Sequence, residues 1–219
     1  MTSNRPTPGA ELRRIGVVAI LRGDAVAAPR LGEIIDTLVD ADCTCLEVTL
    51  NTPGALEIIS SATRRYGTRA EIGAGTVRTA AQARAAISAG ARFLVAPDTR
   101  ADVGEAALEV GLPWYPGAFT ATEVSTAWEL GAAAVKLFPA NLGGPAYLRE
   151  LRAPLDDVPL IPTGGVRLEL AGDYLAAGAL ALGLGNPLLG DALRGGSLAE
   201  LAERTRTVLA AVASGRERQ

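Results

Sequence analysis

The chain has 219 residues, 48% of them hydrophobic, with a formal net charge of −3 and no histidine. That length supports one large domain or two small ones, and the acidic balance gives no electrostatic basis for binding nucleic acid. Without histidine there is no Ser-His-Asp or Cys-His catalysis and no His-ligated metal site, so proton transfer falls to carboxylates, tyrosine, water or lysine.

Residues 1–14 are polar, contain Pro6, Pro8 and Gly9, and lack a signal-peptide core. They read as a flexible tail with at most a short helix before the first strand. The first apolar run, 16–22, ends in Arg22. The second, 43–50, carries Cys43 and Cys45 one residue apart. That spacing is poor for a mutual disulfide, and two thiols are too few for structural zinc. They read as small hydrophobes in a reducing compartment, so a cytoplasmic protein is expected. Period two puts Cys43, Cys45, Glu47 and Thr49 on one face of this run and Leu46, Val48 and Leu50 on the other. The apolar face suits packing on helices, so Glu47 should point inward. There a carboxylate is costly unless it is paired, hydrogen-bonded or protonated. An ion pair with Lys136 or Arg22 and a role in proton transfer are both open to it, and neither excludes the other.

The third run, 71–77, contains Thr76, and the fourth, 93–96, is followed by Pro97. A fifth spans 112–115. In the sixth, 134–138, Lys136 and Phe138 share one face and Val135 and Leu137 the other, so Lys136 should face inward. The seventh, 160–163, leads into Thr163-Gly164-Gly165, and the eighth, 179–183, into Gly183-Leu184-Gly185-Asn186. Between the runs, Thr79 and Thr120 open Ala-rich helical segments in capping-box form. Gly90, Gly111, Gly131 and Gly178 close others. Residues 214–219 should fray. Eight such units at spacings of roughly 20–30 residues, with no linker, predict a single (β/α)8 TIM barrel over residues 15–213 rather than an open doubly wound sheet. No apolar run approaches the length of a membrane span.

Chemistry in such a barrel gathers at the C-terminal ends of the strands. Arg22, Glu47, Thr76, Pro97, Lys136, Phe138 and Thr163 all fall there. Lys136 is the chain's one lysine, against 20 arginines. Only an amine that can lose its proton attacks a carbonyl to form a Schiff base, which no arginine replaces. On residue type alone, a lysine snorkelling to solvent is an equal reading. An inward place at a strand end, across from Glu47, favours the nucleophile. Gly164 and Gly165 can turn backbone N–H groups toward an anion. Asn186 reads as a helix N-cap with Pro187 at the first helical position. Phosphate sites commonly form after the seventh and eighth strands of these barrels, although the same glycines would also serve plain tight turns. Arg22 can pair with Glu47 or clamp a substrate carboxylate in bidentate fashion.

These residues occur in segments that resemble the class I 2-keto-3-deoxy-6-phosphogluconate / 2-keto-3-deoxy-6-phosphogalactonate aldolases. The matching segments are AILRG (19–23), LEVTLNTP (46–53), IGAGTV (72–77), PGAFTATE (116–123), VKLFPA (135–140), PTGGV (162–166) and the glycines of the eighth strand. They follow in order from Ile15 to about Leu193 and are specific as a set. The resemblance implies a barrel that assembles as a homotrimer and acts on a small-molecule substrate without metal or organic cofactor. Lys136 would form the Schiff base and Glu47 would be the acid/base. Thr76 and Thr163 would bind the pyruvate portion, and Phe138 and Pro97 would wall the pocket. Gly164, Gly165, Gly185 and Asn186 would take the phosphate. The products would be pyruvate and glyceraldehyde 3-phosphate, with 4-hydroxy-2-oxoglutarate as a further substrate. Two positions depart from the pattern: Asn51 stands where gluconate-type enzymes carry Arg, and Asn186 where many members carry Ser. The pairing of Arg22 with Asn51 looks more like the galactonate branch, and the choice between the branches stays open. The alternatives are another phosphate-binding barrel, thiamine-phosphate synthase-like or decarboxylase-like, and a non-catalytic metabolite-binding barrel.

Overall fold

A computed structural model describes residues 5–218. Helix α1 (Ala10–Ile15) precedes β1 (Val17–Leu21), α2 (Leu31–Asp40), β2 (Cys45–Thr49), α3 (Ala55–Tyr66), β3 (Glu71–Gly75) and α4 (Ala80–Ser88). There follow β4 (Leu94–Val95), α5 (Ala101–Leu108), β5 (Trp114–Tyr115), β6 (Gly117–Ala118), α6 (Ala121–Glu129), β7 (Val135–Leu137) and α7 (Gly144–Arg152). The chain ends with β8 (Leu160–Pro162), α8 (Ala171–Ala176), β9 (Leu182–Leu184), a four-residue α9 (Asn186–Leu189) and α10 (Leu198–Arg216).

The strands form a six-stranded parallel sheet, in the order β5-β4-β3-β2-β1-β9, and a three-stranded parallel sheet, β6-β7-β8. Pairing of β1 with both β2 and β9 brings the first and last strands together, which curls the larger sheet. The fifth expected run, 112–115, holds β5 alone; beyond Pro116, which has no N–H to give to a ladder, the chain pairs again as the unexpected β6. Beyond β8, an isolated parallel bridge joins Thr163 to Gly183 of β9.

All five residues of β2 are buried, as in parallel sheets covered on both faces. Gly73 and Gly75 leave room inside the curl. A Cβ at position 73 would overlap the Phe93 ring, and one at 75 would overlap the Glu47 carboxylate. The helix boundaries follow local chemistry. Thr120 and Glu123 form a complete capping box, and Thr79 accepts from Gln82 N, while the Gln82 side chain reaches back to Arg78 N. Gly90, Gly111, Gly131 and Gly178 all take positive φ.

Two expectations need correction. Residues 10–14, read as a tail with at most a short helix, do form that short helix but are not loose, because Leu12 and Ile15 lie one turn apart and bury against the body. The approach to that helix is anchored as well, with Gly9 N donating to the Tyr115 hydroxyl at 3.0 Å. At the other end, α10 continues to Arg216, whose guanidinium donates to Arg14 O at 2.8 Å and Leu180 O at 3.1 Å. The outer parts of the two expected tails, residues 1–4 and 219, lie outside the described residues. Among the described residues, no helix is long and apolar enough to cross a membrane.

Candidate active site

A cavity of about 920 Å³ opens at the C-terminal ends of the strands. Its wall takes Arg22 after β1, Asn51 after β2, Lys136 and Phe138 from β7 and the residue after it, Thr163, Gly164 and Gly165 after β8, and Gly185 and Asn186 after β9. Eight of the eleven residues expected at the site therefore meet on one surface, and Glu47, Thr76 and Pro97 do not line it. A second groove, about 530 Å³, lies over the apolar side chains of Leu168, Val208 and Ala211 and presents no amine or thiol nucleophile.

The alternation of β7 places the lysine. Val135 and Leu137 are sealed in the core, and Lys136 between them reaches the cavity with only 7% of its surface exposed. Its Nζ stands 5.1 Å from the centroid of the Phe138 ring. Glu47 is 2% exposed and lies against Gly75, on the wall below the cavity surface. Burial pushes its carboxyl upward from the ordinary carboxylate range, and the charges of Lys136 and Arg22 pull it back only in part. No ion pair among the described residues includes Glu47 or Lys136. Of the two readings open to Glu47, the ion pair with Lys136 or Arg22 is therefore not formed among the described residues.

Arg22 is aimed by its neighbours. Its Nη2 donates to Thr76 Oγ1 at 3.3 Å. Thr76 holds φ 57°, a left-handed conformation that a β-branched residue avoids unless its surroundings impose it. The turn after Arg22 is pinned by Gly23 N donating to Thr52 Oγ1 at 3.1 Å, and Thr52 in turn meets Thr49 Oγ1 at 3.1 Å. Thr76 thus reaches the site through Arg22. Pro97 stands beside Gly117, where its carbonyl leaves no room for a Cβ.

Gly164 and Gly165 take φ 88° and 67° in succession. A Cβ on the first would come within 2.7 Å of the Phe138 ring, and one on the second within 2.8 Å of Asn141. Only glycine lets the loop close over β7 this tightly. The loop is tied down through its carbonyls, with Ala140 N donating to Thr163 O at 2.8 Å and Asn141 N to Gly164 O at 3.1 Å. Thr163 Oγ1 donates to Ile161 O at 3.1 Å, and the side chain packs over Gly183, where no Cβ fits. Asn186 is corrected by one position. The N-cap of α9 is Gly185, whose carbonyl accepts from Leu188 N and Leu189 N, and Asn186 makes no side-chain cap. Asp24 and Arg194 also line the cavity, 3.3 Å apart, and sequence reasoning passed over both. Nothing local marks Arg194 among 20 arginines.

A family model described as "KDPG and KHG aldolase" matches residues 9–203. The chain belongs to the KDPG and KHG aldolase family. Similar proteins within that family carry both sugar-acid names. The chain is 36% identical to the 2-dehydro-3-deoxy-6-phosphogalactonate aldolase of Escherichia coli K12, over 80% of this chain and 85% of that one. It is 40% identical to a 2-dehydro-3-deoxy-phosphogluconate aldolase of Treponema pallidum, over 75% and 76%. Among solved structures it resembles KDPG aldolase from Legionella pneumophila, with a TM-score of 0.81 and 26% identity, covering 92% of this chain and 98% of that one. That crystal captured pyruvate as a covalent carbinolamine intermediate.

Proposed function

We propose that this member of the KDPG and KHG aldolase family is a class I aldolase cleaving a 2-keto-3-deoxy-6-phospho sugar acid, of the phosphogluconate or phosphogalactonate type, to pyruvate and glyceraldehyde 3-phosphate. It also accepts 4-hydroxy-2-oxoglutarate. The observation that carries the reading is the chain's one lysine, 7% exposed, opening from β7 onto a cavity that also holds Arg22 and the Gly164-Gly165 loop.

The chemistry follows from the residues. Lys136 Nζ attacks the C2 ketone, and loss of water leaves a protonated imine. That iminium draws in the electron pair of the C3–C4 bond as the C4 hydroxyl loses its proton, releasing the aldehyde. The enamine left on Lys136 is protonated at C3 and hydrolysed to pyruvate. Glu47, directly or through water, moves the protons. Its raised affinity for a proton suits a group that must both take and return one. Arg22, oriented by Thr76, holds the C1 carboxylate, and Asn51 at the cavity wall leaves that anion to Arg22. Thr163 and Phe138, backed by Pro97, bound the pyruvate portion. Gly164, Gly165, Gly185 and Asn186 receive the phosphate.

We also infer that the two sheets form one eight-stranded (β/α)8 barrel, a single domain over residues 15–213. The Thr163–Gly183 bridge on one side and the β5-Pro116-β6 continuity on the other support this closure. The family reading carries a homotrimer with it, which sedimentation of the purified protein tests. Two free, buried thiols, Cys43 and Cys45, fit a cytoplasmic home. The decisive experiment is reduction with borohydride in the presence of pyruvate. One pyruvyl-derived mass is expected on the peptide containing Lys136, and labelling confined to the N-terminal amine would refute the assignment.

A further inference from the structure

The proposed cleavage leaves one cation at the cavity without a task. Arg194 lines the same cavity as Gly164, Gly165, Gly185 and Asn186. Its backbone is fixed: Arg194 N and Gly196 N both donate to Asp191 O, at 2.7 and 3.0 Å, and Gly195 between them takes φ 97°. Ala192, two residues earlier, is fully buried. Arg30 Nη2 clamps the far side of the turn through Gly196 O at 2.8 Å. A long side chain thus leaves a firm base at the rim.

That side chain ends on Asp24, with Nη2 3.3 Å from Oδ2. Asp24 is fixed too, because its Oδ1 accepts from Val26 N and Ala27 N, both at 3.0 Å. Asp24 itself lines the cavity, so a carboxylate faces the same space as the glycine-rich anion loops. Both partners are more than half exposed, and an ion pair in that setting is weak and readily exchanged. A phosphate carries more charge than a carboxylate and matches the planar guanidinium fork at least as well.

We propose that Arg194 recognises the substrate's phosphate, that Asp24 holds it at the rim and competes with the phosphate for it, and that this pair sets the preference for phosphorylated over unphosphorylated 2-keto acids. The inference rests on the aldolase reading and deepens it.

The test compares wild type, Arg194→Ala and Asp24→Asn. For each, kcat and KM are measured with the phosphorylated sugar acid and with 4-hydroxy-2-oxoglutarate, and the Kd of inorganic phosphate by calorimetry. Arg194→Ala should lower kcat/KM for the phosphorylated substrate about tenfold more than for 4-hydroxy-2-oxoglutarate, through KM, and weaken phosphate binding by a similar factor. Asp24→Asn keeps the Oδ1 acceptor of its turn and removes only the charge. It should tighten phosphate by about threefold. The opposite signs matter, because a pair serving only to tie two loops together would make both variants shift the same way. Such a common shift, equal losses on both substrates, or no measurable phosphate binding by the wild type would each overturn the proposal. Failure of the aldolase reading would look different: wild-type Lys136 would escape labelling by pyruvate and borohydride, and unchanged phosphate affinity in Arg194→Ala would still decide against Arg194.

Discussion

At the N-terminal ends of the strands, Arg14 donates to both carboxylate oxygens of Asp42, at 3.0 and 2.9 Å, and to Thr44 and Glu11. At the C-terminal ends, Glu47 and Lys136 are each less than a tenth exposed, and neither joins an ion pair among the described residues. The two regions have the same ingredients, a few charges on a parallel sheet, and use them differently. Below, every carboxylate of the cluster has a cation or hydroxyl against it, and Asp42 is held below its ordinary range by the Arg14 hydrogen bonds. Above, Glu47 and Lys136 stand without an ion-pair partner beside a space whose rim alone carries a pair, Asp24 with Arg194, and burial raises Glu47 instead. Satisfied charges make a seal. Charges kept apart and dry are available for a substrate to complete.

The comparison breaks first at Lys136. Lys136→Arg keeps the positive charge and removes the amine chemistry, so kcat should fall about 10⁴-fold or more while far-UV circular dichroism stays native. Substantial residual cleavage would make Lys136 no different from the cations below. Glu47→Gln should come next, with a loss of about 10²–10⁴-fold, mostly in kcat. It also has a stability signature. A carboxyl raised by burial stabilises the fold in its protonated form, and that contribution is lost as pH rises through the folded-state value. The neutral glutamine should therefore gain in Tm over wild type as pH rises above about 4.5, Glu47's ordinary value. A Tm that drops at pH 7 instead would mark Glu47 as a satisfied structural charge.

Much of this contrast was legible in the sequence. The eight runs and the inward faces of β2 and β7 follow from period two, and Lys136 stands out by composition. Local patterns did not reach the rest. Gly117–Ala118 pairs as β6 without a β-branched or aromatic residue to announce it. The Thr49–Thr52–Gly23 contacts that steady Arg22 join residues up to 29 apart in sequence. Helix α1 was obscured by Pro6, Pro8 and Gly9, which stop just before it, although Leu12 and Ile15 already had helical spacing. Asp24 and Arg194 lie 170 residues apart, and only the meeting of β1 with β9 makes them neighbours.

Arg22 gives the intermediate effect. Its charge-assisted contact to a substrate carboxylate is worth about 1.5–3 kcal/mol. Arg22→Ala should then weaken pyruvate and phosphorylated substrates alike, by roughly 10- to 150-fold. Arg22→Lys should rescue little, since an ammonium lacks the planar fork. Asn51→Arg on the Arg22→Ala background should restore part of the activity, because both positions face one cavity. A loss confined to phosphorylated substrates would place Arg22 in phosphate recognition and remove the reason to lean toward the galactonate branch.

The smallest effect belongs to the lower cluster, and its size is what sharpens the comparison. Asp42 sits at φ 68°, a conformation that asparagine tolerates about as well as aspartate, so Asp42→Asn changes the charge and little else. Its side chain is 68% exposed and that of Arg14 46%, so solvent and salt screen the pair. The loss should be at most about 1 kcal/mol, or roughly 2–4 °C in Tm for a chain of this size. The sign with pH opposes that of Glu47. A depressed carboxyl stabilises the fold above its unfolded-state value, near the ordinary 3.8, and that contribution disappears as pH falls through the folded-state value. The Tm gap between wild type and Asp42→Asn should therefore be present at pH 7, shrink in 1 M salt and close in acid, with kcat per folded molecule unchanged throughout. Thermal melts across pH, read beside those of Glu47→Gln, give two curves of opposite slope if one end of the parallel strands is built to hold its charges and the other to offer them. Parallel curves would mean that both carboxylates are structural, and the separation between the two ends would collapse.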